Sequence, residues 1–225
     1  MTTMAMADAG SIDSSSTPRA RRFAARTVTR TVDSMSDAAV DDSQLMLAYA
    51  RGDAHAFELL YSRHRAALYR YLMRQARDAE VTSDLFQEVW SRVIATRARY
   101  EPRAKFQTYL FTLAHNCFID HCRRMKTRPS GLSVEAAASA DLLAAPDELR
   151  PDDRLERSEL RQQYQTALAA LPAEQRDAFL LHEESDLSVE EIATVMGVGA
   201  ETAKSRLRYA VNKLKAALST AEGPA

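Results

Sequence analysis

Between Phe57 and Gln75 the residues Phe57, Leu60, Tyr61, His64, Leu68, Tyr71, Leu72 and Gln75 recur at spacings of three and four. That is the period of one helix face, and a stripe kept up over about five turns does not fit a strand, whose side chains alternate sides. Shorter stretches repeat the pattern: Leu45, Ala48 and Tyr49; Leu85, Val89, Val93 and Ile94; Tyr109, Leu110, Leu113, Ala114, Cys117 and Phe118. It resumes in Leu155, Leu160, Tyr164, Leu168 and Leu171, and again after Pro172 in Phe179, Leu180 and Leu181. No run alternates convincingly. Only 6 glycines occur in 225 residues, under half the usual share of roughly 7%, which argues against turn-rich β folds and Gly-loop nucleotide sites. The chain reads as all-α.

Composition divides it further. Residues 1–40 are rich in Ser, Thr, Ala and Arg without periodicity and read as a disordered arm; Met35 competes with Met1 as the start. Residues 41–127 read as one small helical domain and 154–218 as a second. The Pro- and acid-bearing stretch 128–153 between them reads as a flexible acidic linker, and 219–225 as a disordered tail.

The chain has 30 Lys and Arg against 31 Asp and Glu, and this near balance hides a segregation. Residues 97–128 hold eight basic side chains against Glu101 and Asp120, and 198–218 hold five against Glu201. Residues 133–160 reverse the sign, with eight acids to three arginines. Two basic blocks on a tether imply two anion-binding modules. Two cysteines cannot frame a disulfide scaffold, which implies a reducing, cytoplasmic setting. No run approaches the roughly 18 apolar residues of a membrane span, so no membrane insertion is expected.

Residues 187–214 carry the most specific pattern. Ser188 followed three residues on by Glu191 is a capping box. Val189, Ile192, Ala193 and Val195 or Met196 give a short apolar face, and Gly197 stands where the chain must turn. Ala203, Leu207, Ala210, Val211 and Leu214 then line the inner side of a second helix. This is helix–turn–helix grammar. It leaves Glu201, Thr202, Lys204, Ser205, Arg208 and Tyr209 on the outer side, suited to a major groove, with Arg206 and Lys213 suited to phosphates.

The run Glu201-Thr-Ala-Lys-Ser-Arg-Leu-Arg-Tyr-Ala, after Glu191-Ile-Ala and Met196-Gly-Val, resembles region four of the extracytoplasmic-function (ECF) sigma factors of bacterial RNA polymerase. Glu201 replaces the family's usual Gly and Ala203 its Val. Asp84-Leu-Phe-Gln-Glu-Val-Trp resembles the region-two helix that docks on the polymerase clamp. Phe106 to Arg124 resembles the promoter-melting segment, with Tyr109 for the usual Trp and with Asn116, Asp120, Arg123 and Arg124 at the family's polar positions. The resemblance spans about residues 43–126 and 155–216 in the expected order.

It implies a sigma factor whose partners are core RNA polymerase and promoter DNA. Asp84, Leu85, Gln87 and Glu88 are the expected polymerase contacts. Arg99, Arg103, Lys105, Phe106, Asn116, Arg123 and Arg124 are expected at the minus-ten element. There, aromatic rings, base-edge groups and cations together can hold bases out of the stack, although Phe106 reads equally as core. Glu201, Thr202, Lys204, Ser205, Arg206, Arg208 and Tyr209 are expected at the minus-thirty-five element. Regulation could come from an anti-sigma factor or from a Ser/Thr kinase. Val81, Thr82 and Ser83 stand where relatives carry acids, so phosphorylation of Thr82 or Ser83 would supply missing charge; the competing reading is that one of them caps its helix.

Two other classes fit less of the chain. A stand-alone helix–turn–helix regulator leaves 84–90 and 106–124 without a role. For an enzyme, His115, Cys117, His121 and Cys122 are the one metal-like cluster, but at helical spacing they form two pairs facing about 160° apart and cannot converge. No catalytic residues, no metal and no cofactor are expected.

Overall fold

The computed structural model describes residues 40–127 and 151–219. The expected N-terminal arm, nearly all of the linker and most of the tail lie outside the described residues. Within them there are eight α-helices and no strand: α1 (Asp42–Ala50), α2 (Ala54–Ala76), α3 (Ala79–Thr96), α4 (Phe106–Thr127), α5 (Pro151–Ala169), α6 (Ala173–Ser185), α7 (Val189–Met196) and α8 (Ala200–Ser219). A 3₁₀ turn, Arg97–Arg99, precedes the loop into α4.

Side-chain caps set several helix starts. Asp41 accepts from the Ser43 N–H, Asp53 from those of His55 and Ala56, and Asp78 from that of Val81. Each satisfies amides that the helix itself leaves unpaired. Gly52, at φ +102°, makes the turn between α1 and α2 that few other residues could make. Pro172 stands at the N-cap of α6, with φ −52°, just before the first helical residue.

The long stripe of α2 is buried as its spacing predicts: Leu60, His64, Leu68, Tyr71, Leu72 and Gln75 all face inward. α3 and α4 close over it through Leu85, Val89, Val93, Leu110, Phe111, Ala114 and Cys117. α6, α7 and α8 pack a second centre around Leu180, Leu181, Ile192, Ala203, Ala210 and Leu214. The buried apolar residues of both centres join in one cluster. Two residues depart from the expected faces: Ile94 is 38% and Leu160 57% exposed. α5 also starts at Pro151, inside the stretch expected to be linker.

Candidate nucleic-acid and polymerase interface

The side chains expected to meet the polymerase lie on α3. Asp84 and Gln87 are exposed and Glu88 is half-buried, on one helix face as the i, i+3, i+4 spacing requires. Glu88 is engaged: it accepts from Arg92 at 2.6 Å and lies 3.7 Å from Arg124. Beside this face, between α3 and α4, runs a groove of about 570 Å³ whose lining includes Asp84, Glu88, His121, Arg124 and Met125. Leu85 is a correction. At 1% exposure it belongs to the core and presents Asp84 and Glu88 rather than meeting a partner itself.

Thr82 is a second correction. It is fully buried, and its hydroxyl donates to the Asp78 carbonyl at 2.6 Å. A kinase cannot reach it while α3 is folded; Ser83 next to it is exposed. The cap of α3 is neither residue but Asp78.

The expected minus-ten residues divide. Arg99, Arg103, Lys105, Asn116, Arg123 and Arg124 are exposed. Arg103 is paired with Glu101 at 2.6 Å, and Arg123 lies 3.6 Å from Asp120. Phe106 is fully buried, with ring centroids 5.3 Å from His64 and 6.3 Å from Tyr100. It therefore cannot stack on a base as it stands: its place on the stripe makes it the first core residue of α4. Tyr109 is half-buried and bonded to Thr96 at 2.6 Å.

The helix–turn–helix forms as its grammar requires. Ser188 accepts from the Glu191 N–H while Glu191 accepts from the Ser188 N–H, and Gly197 takes φ +64°. Glu201, Thr202, Lys204, Arg208 and Tyr209 are exposed along the first turns of α8, and Ser205 is half-buried. The Arg208 guanidinium lies over the Tyr209 ring, 5.3 Å from its centroid. Lys204 is 3.8 Å from Glu201. Arg206 departs from expectation, since it pairs with Glu174 of α6 and braces α8 instead of standing free for phosphate.

The metal-like cluster of α4 is dispersed. Burial pushes the Cys117 thiol up to about 11, leaving it protonated and a poor ligand. His115 lies instead 2.8 Å from Asp177.

One group of polar side chains is not announced by the spacing of the sequence, a buried seam between α2, α4 and α6. Tyr71 donates to Asp177 at 2.8 Å and Gln75 to the same oxygen at 2.6 Å. Arg70 donates to Glu184 at 2.6 Å, and Arg74 pairs with its other oxygen. The available signal was Gln75, an amide standing on a mostly apolar stripe; His64, another polar residue there, pairs with Asp42 of α1 at 2.6 Å.

An all-helical chain with an acidic face on α3, exposed basic residues at both ends of α4 and a capped helix–turn–helix has the features of a DNA-binding protein. The family models for Sigma-70 region 2 and Sigma-70, region 4 match residues 60–128 and 161–214. The chain is 32% identical over 177 residues to RNA polymerase sigma factor CarQ of Myxococcus xanthus, covering 79% of this chain and 97% of that one. It is 33% identical over 175 residues to the ECF RNA polymerase sigma factor SigL of Mycobacterium tuberculosis, covering 75% and 92%. The chain belongs to the extracytoplasmic-function sigma factors of bacterial RNA polymerase. Its fold resembles that of CnrH, solved in complex with the cytosolic domain of CnrY (TM-score 0.58, 22% identity, covering 80% of this chain and 97% of that one). It also resembles RpoE of Bartonella quintana, solved with the anti-sigma factor NepR (TM-score 0.56, 23% identity, 72% and 96%).

Proposed function

We propose the following division of labour for this sigma factor, which binds core RNA polymerase and directs promoter recognition and melting. Residues 41–127 form the polymerase-binding and minus-ten module, and residues 154–218 the minus-thirty-five module. Asp84, Gln87 and Glu88 dock on a basic clamp surface. Arg99, Arg103, Lys105 and Asn116 meet the melted strand, and Arg123 and Arg124 hold phosphates at its upstream edge, which positions DNA without reading sequence. Glu201, Thr202, Lys204, Ser205, Arg208 and Tyr209 read the minus-thirty-five bases. Glu201 in place of the family's Gly sets a carboxylate in the groove, where it favours the amino group of cytosine. The protein acts in the cytoplasm, as an initiation factor and not as an enzyme. No helix among the described residues is long and apolar enough to cross a membrane.

The observation that carries this reading is the order of the parts: an acidic docking face and basic melting segment on α3 and α4, then a capped helix–turn–helix. Control by an anti-sigma protein is favoured over phosphorylation, because the two solved neighbours described above are sigma factors held by a second protein, while of the two phosphorylation candidates Thr82 is buried and only Ser83 is exposed. The test is a core-polymerase pull-down with run-off transcription, comparing wild type with Asp84→Lys, Glu88→Lys. Loss of retention and of transcripts is expected. Unchanged retention would remove α3 as the docking helix.

A further inference from the structure

The two acids of the α3 docking face are held differently. Asp84 is exposed and forms no ion pair with a described residue, whereas Glu88 is gripped by Arg92, one turn further along the same helix. We propose that Arg92 is the positioning residue of polymerase docking: it fixes the Glu88 carboxylate in the pose that a basic clamp surface meets. This rests on α3 being the docking helix, and adds to it a residue that acts through Glu88 without touching polymerase itself.

Glu88 and Arg92 stand four residues apart, so both side chains lie on one flank of α3, with the acid towards the N-terminus as such pairs favour. One Glu88 oxygen accepts from Arg92 Nη2 at 2.6 Å. The same nitrogen lies 3.9 Å from Asp120 on α4. Arg92 thus stands between two carboxylates from different helices and is braced from α4 while it holds Glu88. The other Glu88 oxygen has Arg124 at 3.7 Å, beyond hydrogen-bonding distance. It keeps its lone pairs for an incoming donor. The Glu88 and Arg92 side chains are 32% and 37% exposed, so the held carboxylate is open to a partner.

Folding gains little from such a pair, because a surface ion pair at i, i+4 adds little stability. Its value lies in docking. A glutamate has three rotatable bonds, and a free one loses that freedom when a partner catches it. Holding the side chain beforehand moves the loss from binding into folding, which strengthens binding by about two- to tenfold for one such side chain. The charge of Arg92 acts in the opposite sense, since a cation on an acidic face repels a basic partner. Asp120, 3.9 Å away, offsets that charge, so positioning is the larger effect. The two effects predict opposite signs for loss of the guanidinium.

The measurement is the affinity of the full chain for immobilised core polymerase. Wild type is compared with Arg92→Met, Arg92→Lys, Glu88→Gln and the Glu88→Gln, Arg92→Met double variant. Methionine keeps most of the stem and removes the charge. Arg92→Met should weaken binding by about two- to tenfold, although it removes a cation from a face that meets a basic surface. In run-off transcription the loss should appear as a higher half-saturating concentration of sigma, not as a lower yield at saturation. Arg92→Lys still reaches Glu88 but lacks the planar fork, and should recover part of the affinity. Glu88→Gln should weaken binding, and adding Arg92→Met to it should weaken it no further, because no carboxylate is left to hold.

Equal or tighter binding by Arg92→Met would overturn the proposal. So would an undiminished loss in the Glu88→Gln background, which would mean that Arg92 touches polymerase directly. If Arg92→Met does not fold, Asp120→Asn removes the brace from α4 instead. It should weaken binding in the wild-type background and not beside Glu88→Gln, and no effect in the wild-type background would count against positioning. Glu88→Gln binding as well as wild type would remove the docking role of Glu88 and the positioning role with it. Weakened Glu88→Gln together with unchanged Arg92→Met would leave the docking helix standing and remove only the role of Arg92.

Discussion

Phe106 and Arg206 show how a side chain of suitable chemistry is claimed by the fold. Phe106 begins α4 under His64, Tyr100 and Tyr109 and has no surface left for a base. Phe106→Ala should cost about 3–5 kcal/mol, as for other buried aromatics, lowering the melting temperature by about 10 °C. The base preference of the surviving protein at the minus-ten element should be unchanged, measured by promoter-library transcription. Arg206 sits at 21% side-chain exposure against Glu174. Arg206→Ala should therefore loosen α8 from α6, seen as faster amide exchange in α8. It should weaken all promoters alike, whereas Glu201→Gly should change which base is preferred, by about 1–3 kcal/mol. Phe106 was legible as a ring on a helical face, but its burial depends on α2 passing above it, which no spacing within α4 records.

At the scale of the element, the helix–turn–helix was the most legible part of the chain, because its determinants are local. Ser188 and Glu191 lie one turn apart and Gly197 supplies a left-handed backbone that other residues adopt at a cost. Tertiary contacts then add a charge term. Burial pushes the Glu191 carboxyl up, but the Ser188 N–H and the Lys105 ammonium more than offset it, so its pKa lies below the ordinary value. A carboxylate depressed on folding stabilises fully above its unfolded pKa, about 4.3, and loses that contribution as pH falls through the folded value. Glu191→Gln retains the cap and removes the charge. Wild type should thus exceed this variant in stability by a constant margin from pH 7 to about 5, and the margin should close below about pH 4. Urea unfolding across that range measures it.

For the whole molecule, the consequence of the seam is cooperativity. α6 packs against α2 as well as α8, and the buried apolar residues form one cluster. The wild-type chain should melt in a single calorimetric transition with equal calorimetric and van't Hoff enthalpies. The Asp177→Asn, Glu184→Gln variant should show two. Two transitions already present in wild type would mean that the modules fold and unfold independently.

Most helix positions, the capping box, the turn at Gly197 and most of the exposed face of α8 were determined by the sequence alone, because each depends on residues within a turn or two of one another; the start of α5 at Pro151 and the pairing of Arg206 with Glu174 were not. The two-module order was legible for the same reason, motif by motif. Pairings between residues about a hundred positions apart were decided only by the tertiary structure: Arg70 with Glu184, Tyr71 and Gln75 with Asp177, Lys105 with Glu191. Periodicity says which face a side chain takes and not which helix will lie against it. A buried polar residue therefore announces that it needs a partner, and only the packed chain supplies one.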